Sequence, residues 1–338
     1  MKSKIAVINV MTFEKPDIGP YAALPQSGLM GVVDDQLIGR LAGLSHIAMD
    51  DQEIFVSALA KCSQKCSYYY FPFLHSFARA PNQPLLWEKV NGSICVYILR
   101  YLDKGPNLRL YLPPFPFNSD ALKWAEDRQR NFNGTAQCII VWADQTAGPE
   151  LMERGYRLEF RDREYIYDGD LVRAADGSNF SRLRRNLSRV SKLDGVVIRA
   201  YGPDDQAACL DLLARWRKRR KDQGLETDGY GYTRRIVEHA SEFRHGLIWG
   251  EVVLIKERLV GFSFGGQLTP NMECIFIAIS DHDTASLGYT LRHSFVSNGP
   301  QKKLFNDGVD GGNSGIREVK LVFCPVEINY LYRASLGE

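Results

Sequence analysis

The chain has 338 residues, 45% of them hydrophobic and 24% charged, with a formal net charge of +2. That length suits two domains of ordinary size, and the composition supports a sizeable core, which excludes a disordered or fibrous chain. So small a net charge names no partner; a nucleic-acid surface, if there is one, has to be local.

The opening MKSKIAVINVMTFEKPD begins like a signal peptide, but its apolar run is short and Glu14, Lys15 and Pro16 follow, so it reads as a first strand. No apolar stretch is long enough to span a bilayer, and no membrane insertion is expected. Of the seven cysteines only Cys62 and Cys66 lie close together, with no second pair to complete a zinc site. They read as small core residues of a reduced, cytoplasmic protein.

The first 80 or so residues carry little periodicity, and the turn-rich APNQP (80–84) reads as an exposed connection. SICVYILRY (93–101) and NLRLYLPPF (107–115) then read as strands, SDALKWAEDRQRNF (119–132) as a helix and AQCIIVWAD (136–144) as a strand. GPELMERG (148–155) follows as a short helix and YRLEFRDREYIYD (156–168) as a strand. Turn formers collect in DGDLVRAADG (168–177), which marks a boundary between units 1–168 and 169–338.

The second unit repeats the order. DDQAACLDLLARWRKRRK (204–221) and TRRIVEHASEF (233–243) are helices, and GLIWGEVVLI (246–255), RLVGFSFGGQL (258–268) and ECIFIAIS (273–280) are strands. DHDTASLGYTLRHSFVS (281–297) is a helix with aspartates at its start, KKLFND (302–307) a strand, GIREVKLVF (315–323) a helix and PVEINYLYRA (325–334) a closing strand. Helix, three antiparallel strands, helix, strand, helix, strand resembles the acetyltransferase-like (GNAT) order. The expectation is an α/β (α+β) protein of two tandem GNAT-like units with mixed, mostly antiparallel sheets.

The glycine-rich stretch after the strand at 302–307, NDGVDGGNSGIREVK, invites three readings. A calcium loop starting at Asp307 would need oxygen ligands where Val309 and Gly311 stand, so it fails, although Gly312 and Glu318 fall correctly. A P-loop needs a Gly-Lys-Ser/Thr ending, which is absent. What remains is a glycine loop running into a helix start near Gly315. Its N–H groups can accept an anion, or Asp307 and Asp310 can meet an ammonium. The same residues also serve as positive-φ glycines and turn-capping aspartates, and from the residues alone both uses stay open.

Two segments together resemble one family. EYIYDGDLVRAADGSNFSRLRRNLSRV (164–190), an aromatic-rich strand leading into a basic helix, is similar to the start of the C-terminal domain of lysyl-phosphatidylglycerol synthases and their soluble relatives. FNDGVDGGNSGIREVKLVFCPVEINYLYRA (305–334) is similar to that family's C-terminal signature: an Asn/Asp-Gly loop, Gly-Ile-Arg, a Lys three residues later, an aromatic-x-Pro and a tyrosine-bearing last strand. The resemblance implies an aminoacyl-tRNA-dependent transferase acting on a small amine, hydroxylamine or peptide in a biosynthetic pathway, as the seryl-tRNA-dependent enzymes of azoxy-antibiotic synthesis do. It implies aminoacyl-tRNA and a small-molecule or peptide acceptor as partners, and this chemistry needs no metal or redox cofactor.

Such a transfer needs a held CCA end, an oriented ester, a stabilised oxyanion and a base for the acceptor amine. The residues expected to act are Lys320, in the signature's lysine position, with Asp307 and Asp310, and Glu251 as a base through water. Asn306, Gly311, Gly312, Arg317 and Tyr330 are the expected substrate-binding residues. Lys320 and Arg317 share a helix face three residues apart, and Tyr330 and Tyr332 share a strand face. Arg182, Arg185 and Arg189 align on one helix side with Lys192 following, a phosphate track for tRNA. RWRKRRK (215–221) ends a helix, where cations complement the dipole, so it reads as a solvated end, with tRNA contact as the other use.

Two rival readings share parts of this pattern. A CoA-dependent N-acyltransferase needs an amide-rich pyrophosphate turn after the fourth strand. Here Asp281 and Asp283 stand in that turn and would repel the phosphates. A non-catalytic RNA-binding module would use the basic helices and leave the acidic glycine loop without a role.

Overall fold

The computed structural model describes residues 39–337 apart from 79–83, 103–104, 226, 228 and 301, together with the backbone of 6–9 and 30–33. The expected first strand is β1 (Ala6–Asn9), paired antiparallel with β2 (Met30–Val33). Most of the APNQP connection lies outside the described residues.

The first unit then runs β3 (Ser45–His46), α1 (Gln52–Leu59), α2 (Phe71–Ala78), β4 (Leu85–Val90), β5 (Ser93–Leu102), β6 (Gly105–Leu110), α3 (Ser119–Asn133), β7 (Cys138–Asp144), α4 (Gly148–Glu153) and β8 (Arg157–Asp168). α3 forms where the sequence indicates. The Asn118 side chain accepts from the N–H groups of Asp120 and Ala121 at 2.9 and 3.0 Å, and Gly134 ends the helix at φ +64°. α2 gave little periodic signal because seven of its eight residues are buried, so it has no polar face to mark a period.

The second unit contains α5 (Gly169–Ala174), α6 (Ser181–Ser191), β9 (Val196–Ala200), α7 (Gln206–Asp222), α8 (Tyr230–His239), β10 (Trp249–Ile255), β11 (Arg258–Thr269), β12 (Met272–Ser280), α9 (Leu287–Asn298), β13 (Leu304–Val309), α10 (Ser314–Leu321) and β14 (Glu327–Leu336). α9 begins at Leu287 rather than at the aspartates. Asp281 accepts from Arg258 at 2.6 Å and from the Asp283 N–H, so it is used in the turn before the helix. No helix among the described residues is long and apolar enough to cross a membrane.

Twelve strands form one sheet in the order β3-β4-β5-β6-β7-β14-β8-β13-β12-β11-β10-β9. The two halves interlock at its centre. The chain's last strand, β14, pairs antiparallel with both β7 and β8, and β8 also pairs with β13. The sheet is antiparallel except at β6/β7 and β12/β13. The mixed sheet and twice-repeated element order are those of tandem GNAT-like units.

Successive residues of a strand face opposite sides, and this sorts the helices. Val252 of β10 packs with Leu212 and Leu213 of α7 and Ile236 of α8, whereas Val253 packs with Leu287 and Leu291 of α9 and Val190 of α6. α7 and α8 therefore cover one face, and α6 and α9 the other.

The two parallel strand pairs end differently. In the first half β6 and β7 stay joined through the Trp142 N–H to the Tyr111 carbonyl at 3.0 Å, and aromatic rings fill the space beside them: Tyr68 stacks on Trp142 at 4.5 Å and Tyr111 on Phe77 at 5.6 Å. In the second half β12 and β13 pair only from Met272 to Cys274, and the gap beyond stays open.

Candidate functional site

The open gap is a cleft of about 450 Å³. Ile275 to Ile279 of β12 form one wall and the loop from Asp307 to Asn313 the other, with Lys320 of α10 and Arg292 of α9 at its base. Trp216, Arg220 and Tyr232 line it from α7 and α8, and the first half contributes Ser67, Tyr68 and Phe73.

The glycine loop is shaped by its backbone. Gly308, Gly311 and Gly312 have φ of +63°, +60° and +74°, which a side chain rarely adopts. A Cβ on Gly311 or Gly312 would meet nothing within 4 Å, so the left-handed backbone explains these glycines and lack of space does not. Asn306 is fully buried and turns the chain here: its Oδ1 accepts from the Gly308 N–H at 2.6 Å. Asn313 caps α10 by accepting from the Ile316 N–H at 3.0 Å, which occupies one of the helix-start donors.

Each aspartate of the loop already holds a cation of the chain. Asp307 accepts from Arg292 Nε at 2.7 Å and from the Tyr167 hydroxyl at 2.8 Å, with Lys320 Nζ at 3.7 Å. Asp310 accepts from Arg317 at 2.9 Å, from the Tyr165 hydroxyl at 2.5 Å and from the Gly312 N–H at 2.8 Å. Burial pushes the Asp310 carboxyl up, but the Arg317 and Tyr165 bonds outweigh it and hold the group below the usual range. In this geometry the two carboxylates position Arg292, Lys320 and Arg317.

Lys320 is 2% exposed, which is rare for a lysine. Its Nζ donates to the carbonyls of Asp307 and Gly308, the latter at 3.0 Å. Burial lowers its pKa to about 8, with Asp307 acting the other way. Arg292 uses Nε on Asp307 and Nη1 on the Gly288 carbonyl at 3.1 Å, and it lines the cleft.

Behind the loop lies a fully buried carboxylate. Glu164 of β8 accepts from the Ser67 N–H at 2.9 Å, the Ser67 hydroxyl at 2.5 Å, Asn306 at 2.9 Å and Asn329 at 2.8 Å. These donors tie the Ser67 segment, β13 and β14 to one point. Burial raises the Glu164 pKa.

The structure thus gathers Asn306, Asp307, Asp310, Gly311, Gly312, Arg317 and Lys320 around one loop. It places other expected residues elsewhere. Glu251 is buried under α9, accepts from Asn298 at 2.7 Å and does not line the cleft. Tyr330 is 40% exposed on β14, beside Phe160 at 6.2 Å, and is also outside it. Arg182, Arg185, Arg189 and Lys192 are exposed on and just after α6, with Arg182 paired to Glu318 at 3.1 Å. Sequence reading missed Arg292, Glu164 and Ser67, which meet the loop only through distant segments. Tyr165 and Tyr167 did carry a signal: two tyrosines two positions apart on a strand share a face.

No family model matches the sequence, and no curated protein matches it. Solved structures do. The chain superposes on a conserved protein of unknown function from Bacteroides thetaiotaomicron with a TM-score of 0.74 and 17% identity, covering 87% of this chain and 99% of that one. L-PGS from Bacillus licheniformis matches with a TM-score of 0.61 and 13% identity, covering 86% and 92%. The C-terminal domain of a protein described as a lysylphosphatidylglycerol synthetase, from Agrobacterium fabrum, matches with a TM-score of 0.59 and 13% identity, covering 85% and 91%. This chain has the lysylphosphatidylglycerol synthetase C-terminal domain fold. The resemblance read from the glycine loop and the last strand is borne out at that level.

Proposed function

We propose that the protein transfers an aminoacyl group from charged tRNA to a small amine, hydroxylamine or peptide acceptor. The supporting observation is a pair of cations, the buried Lys320 and the partly buried Arg292, anchored by Asp307 at the base of an open cleft. In the reaction a C–N bond forms at the ester carbonyl, and the ribose oxygen of the tRNA leaves with a proton. The acceptor nitrogen loses one. Two Lys320 N–H groups are fixed on the Asp307 and Gly308 carbonyls, and the third, with the Arg292 guanidinium that lines the cleft, is available to the developing oxyanion. The wall of Ile275, Ile277 and Ile279 gives the ester an apolar surface to lie against. Asp310 holds Arg317 against the loop, and Asn306, Gly311 and Gly312 give the loop its shape. The cytoplasm, where charged tRNA is made, is the compartment this reading requires.

CoA-dependent acyl transfer is the second reading. One observation favours it over its standing in the sequence: Asp281 and Asp283 are neutralised by Arg258 at 2.6 Å and Arg219 at 2.5 Å, so the turn repels phosphate less than its composition implies. The deciding experiment incubates the protein with tRNAs charged with labelled amino acids and a panel of amines, with and without RNase. RNase-sensitive amide formation is the expected result. Acetyl transfer from acetyl-CoA without any tRNA requirement refutes the proposal.

A further inference from the structure

The outer wall of the cleft has a chemistry that the base lacks. Trp216 and Arg220 lie one turn apart on α7, both line the cleft, and the Arg220 guanidinium sits 5.2 Å from the Trp216 ring centre. Tyr232 of α8 lines the same wall and meets Phe73 edge-on at 5.3 Å. Next to them the Arg217 guanidinium lies over the Tyr230 ring at 4.1 Å, and Arg219 reaches Asp283 at 2.5 Å. From Arg217 to Lys221 the helix carries five consecutive cations and no acid. From the sequence this run reads as a solvated helix end, with tRNA contact as the other use. In the fold, one side of it walls the cleft.

We propose that this wall seats the single-stranded 3′ end of the tRNA, with a base stacked on Trp216 and a phosphate on Arg220. The inference rests on the reading of the cleft as an aminoacyl-transfer site. A 3′-terminal ester can reach Lys320 only if the strand carrying it enters the cleft, and a cleft of about 450 Å³ admits a single strand but no duplex stem. Single strands are held by aromatic faces, guanidinium planes and cationic tracks, and such a wall takes the shared CCA end of any tRNA. The cations of α6 do not meet this need, because none of Arg182, Arg185 and Arg189 lines the cleft.

The test measures binding of one uncharged tRNA, and of the same tRNA lacking its last three nucleotides, over a range of salt concentrations. The wild type is expected to lose roughly tenfold or more in affinity with the truncated tRNA. Trp216→Ala should bind both forms alike, Trp216→Phe should keep most of the difference, and Arg220→Ala should lower the salt slope by about 1. Melting curves check that each variant is folded, and if Trp216→Ala is not, Trp216→Leu replaces it. Full discrimination in a folded Trp216→Ala or Trp216→Leu overturns the proposal. So does loss of tRNA binding in Arg185→Ala/Arg189→Ala with binding intact in the α7 variants. If Trp216 governs CCA binding but no aminoacyl group is transferred, the site stands and the transfer reading falls. If transfer occurs and Trp216→Ala leaves KM for charged tRNA unchanged, the transfer reading stands and this site falls.

Discussion

Replacing Lys320 tests the centre of the proposed mechanism through pH. Burial takes its ammonium from an ordinary 10.5 to about 8. At pH 7 roughly 90% of the group is then protonated, and at pH 9 roughly 10%. If the protonated amine stabilises the oxyanion, single-turnover transfer should fall as pH rises through about 8, and Lys320→Arg should remove that limb because arginine stays charged. Lys320→Ala should lose transfer by at least a hundredfold. Asp307 sets the position of the limb. Its carboxylate is 3.7 Å from Nζ, an attraction of about 4 to 5 kcal/mol at an effective dielectric of 20. Screening by Arg292, bonded to the same carboxylate, reduces this. Asp307→Asn should therefore move the limb to lower pH by at least one unit. A limb that persists near pH 8 in Lys320→Arg, or does not move in Asp307→Asn, would refute the assignment.

Other substitutions follow from the same geometry. Glu164→Gln replaces an acceptor of four hydrogen bonds by a group with one acceptor oxygen, and should cost on the order of 2–4 kcal/mol in denaturant unfolding. A change under about 0.5 kcal/mol would contradict its role as a tie point. Asp310→Asn should cost about 1–3 kcal/mol at pH 7. Because the folded state holds the Asp310 carboxyl below 3.8, that stability is present above 3.8 and lost as pH falls through the folded value, so wild type and variant should converge in acid melts. Glu251 runs the opposite way. Burial raises its pKa, so its contribution is full below 4.5 and lost as pH rises through the folded value. Glu251→Gln should leave the melting temperature at pH 7 unchanged or higher and transfer within about twofold; a large loss of transfer would return Glu251 to the catalytic set.

Much of the site loop was legible because its signals are local. Three glycines at positive φ and a lysine three residues after Arg317 are properties of one short segment. The same holds for α3, with its Asn118 cap and Gly134 stop, and for the strands β10 to β12. Such features come from steric limits and from periodicity, which a single stretch of chain displays. α2 escaped notice because a helix buried on nearly every side has no polar stripe.

The sequence by itself determined most of the order of elements beyond β5, the turn chemistry of the loop and the presence of charged groups in it. Only the tertiary structure decided what those charges do. Asp307 could have met a substrate ammonium, but the splay of β12 from β13 lets Arg292 reach it from α9, and the fold buries Lys320 against the same turn. Glu251 looked available on a central strand, yet strand alternation turned it under α9 and away from the cleft. The cationic run of α7 became a cleft wall because α8 and β12 close around it. Each outcome depends on contacts between residues far apart in the chain, and a spacing rule carries no information about which distant segments the core will bring together.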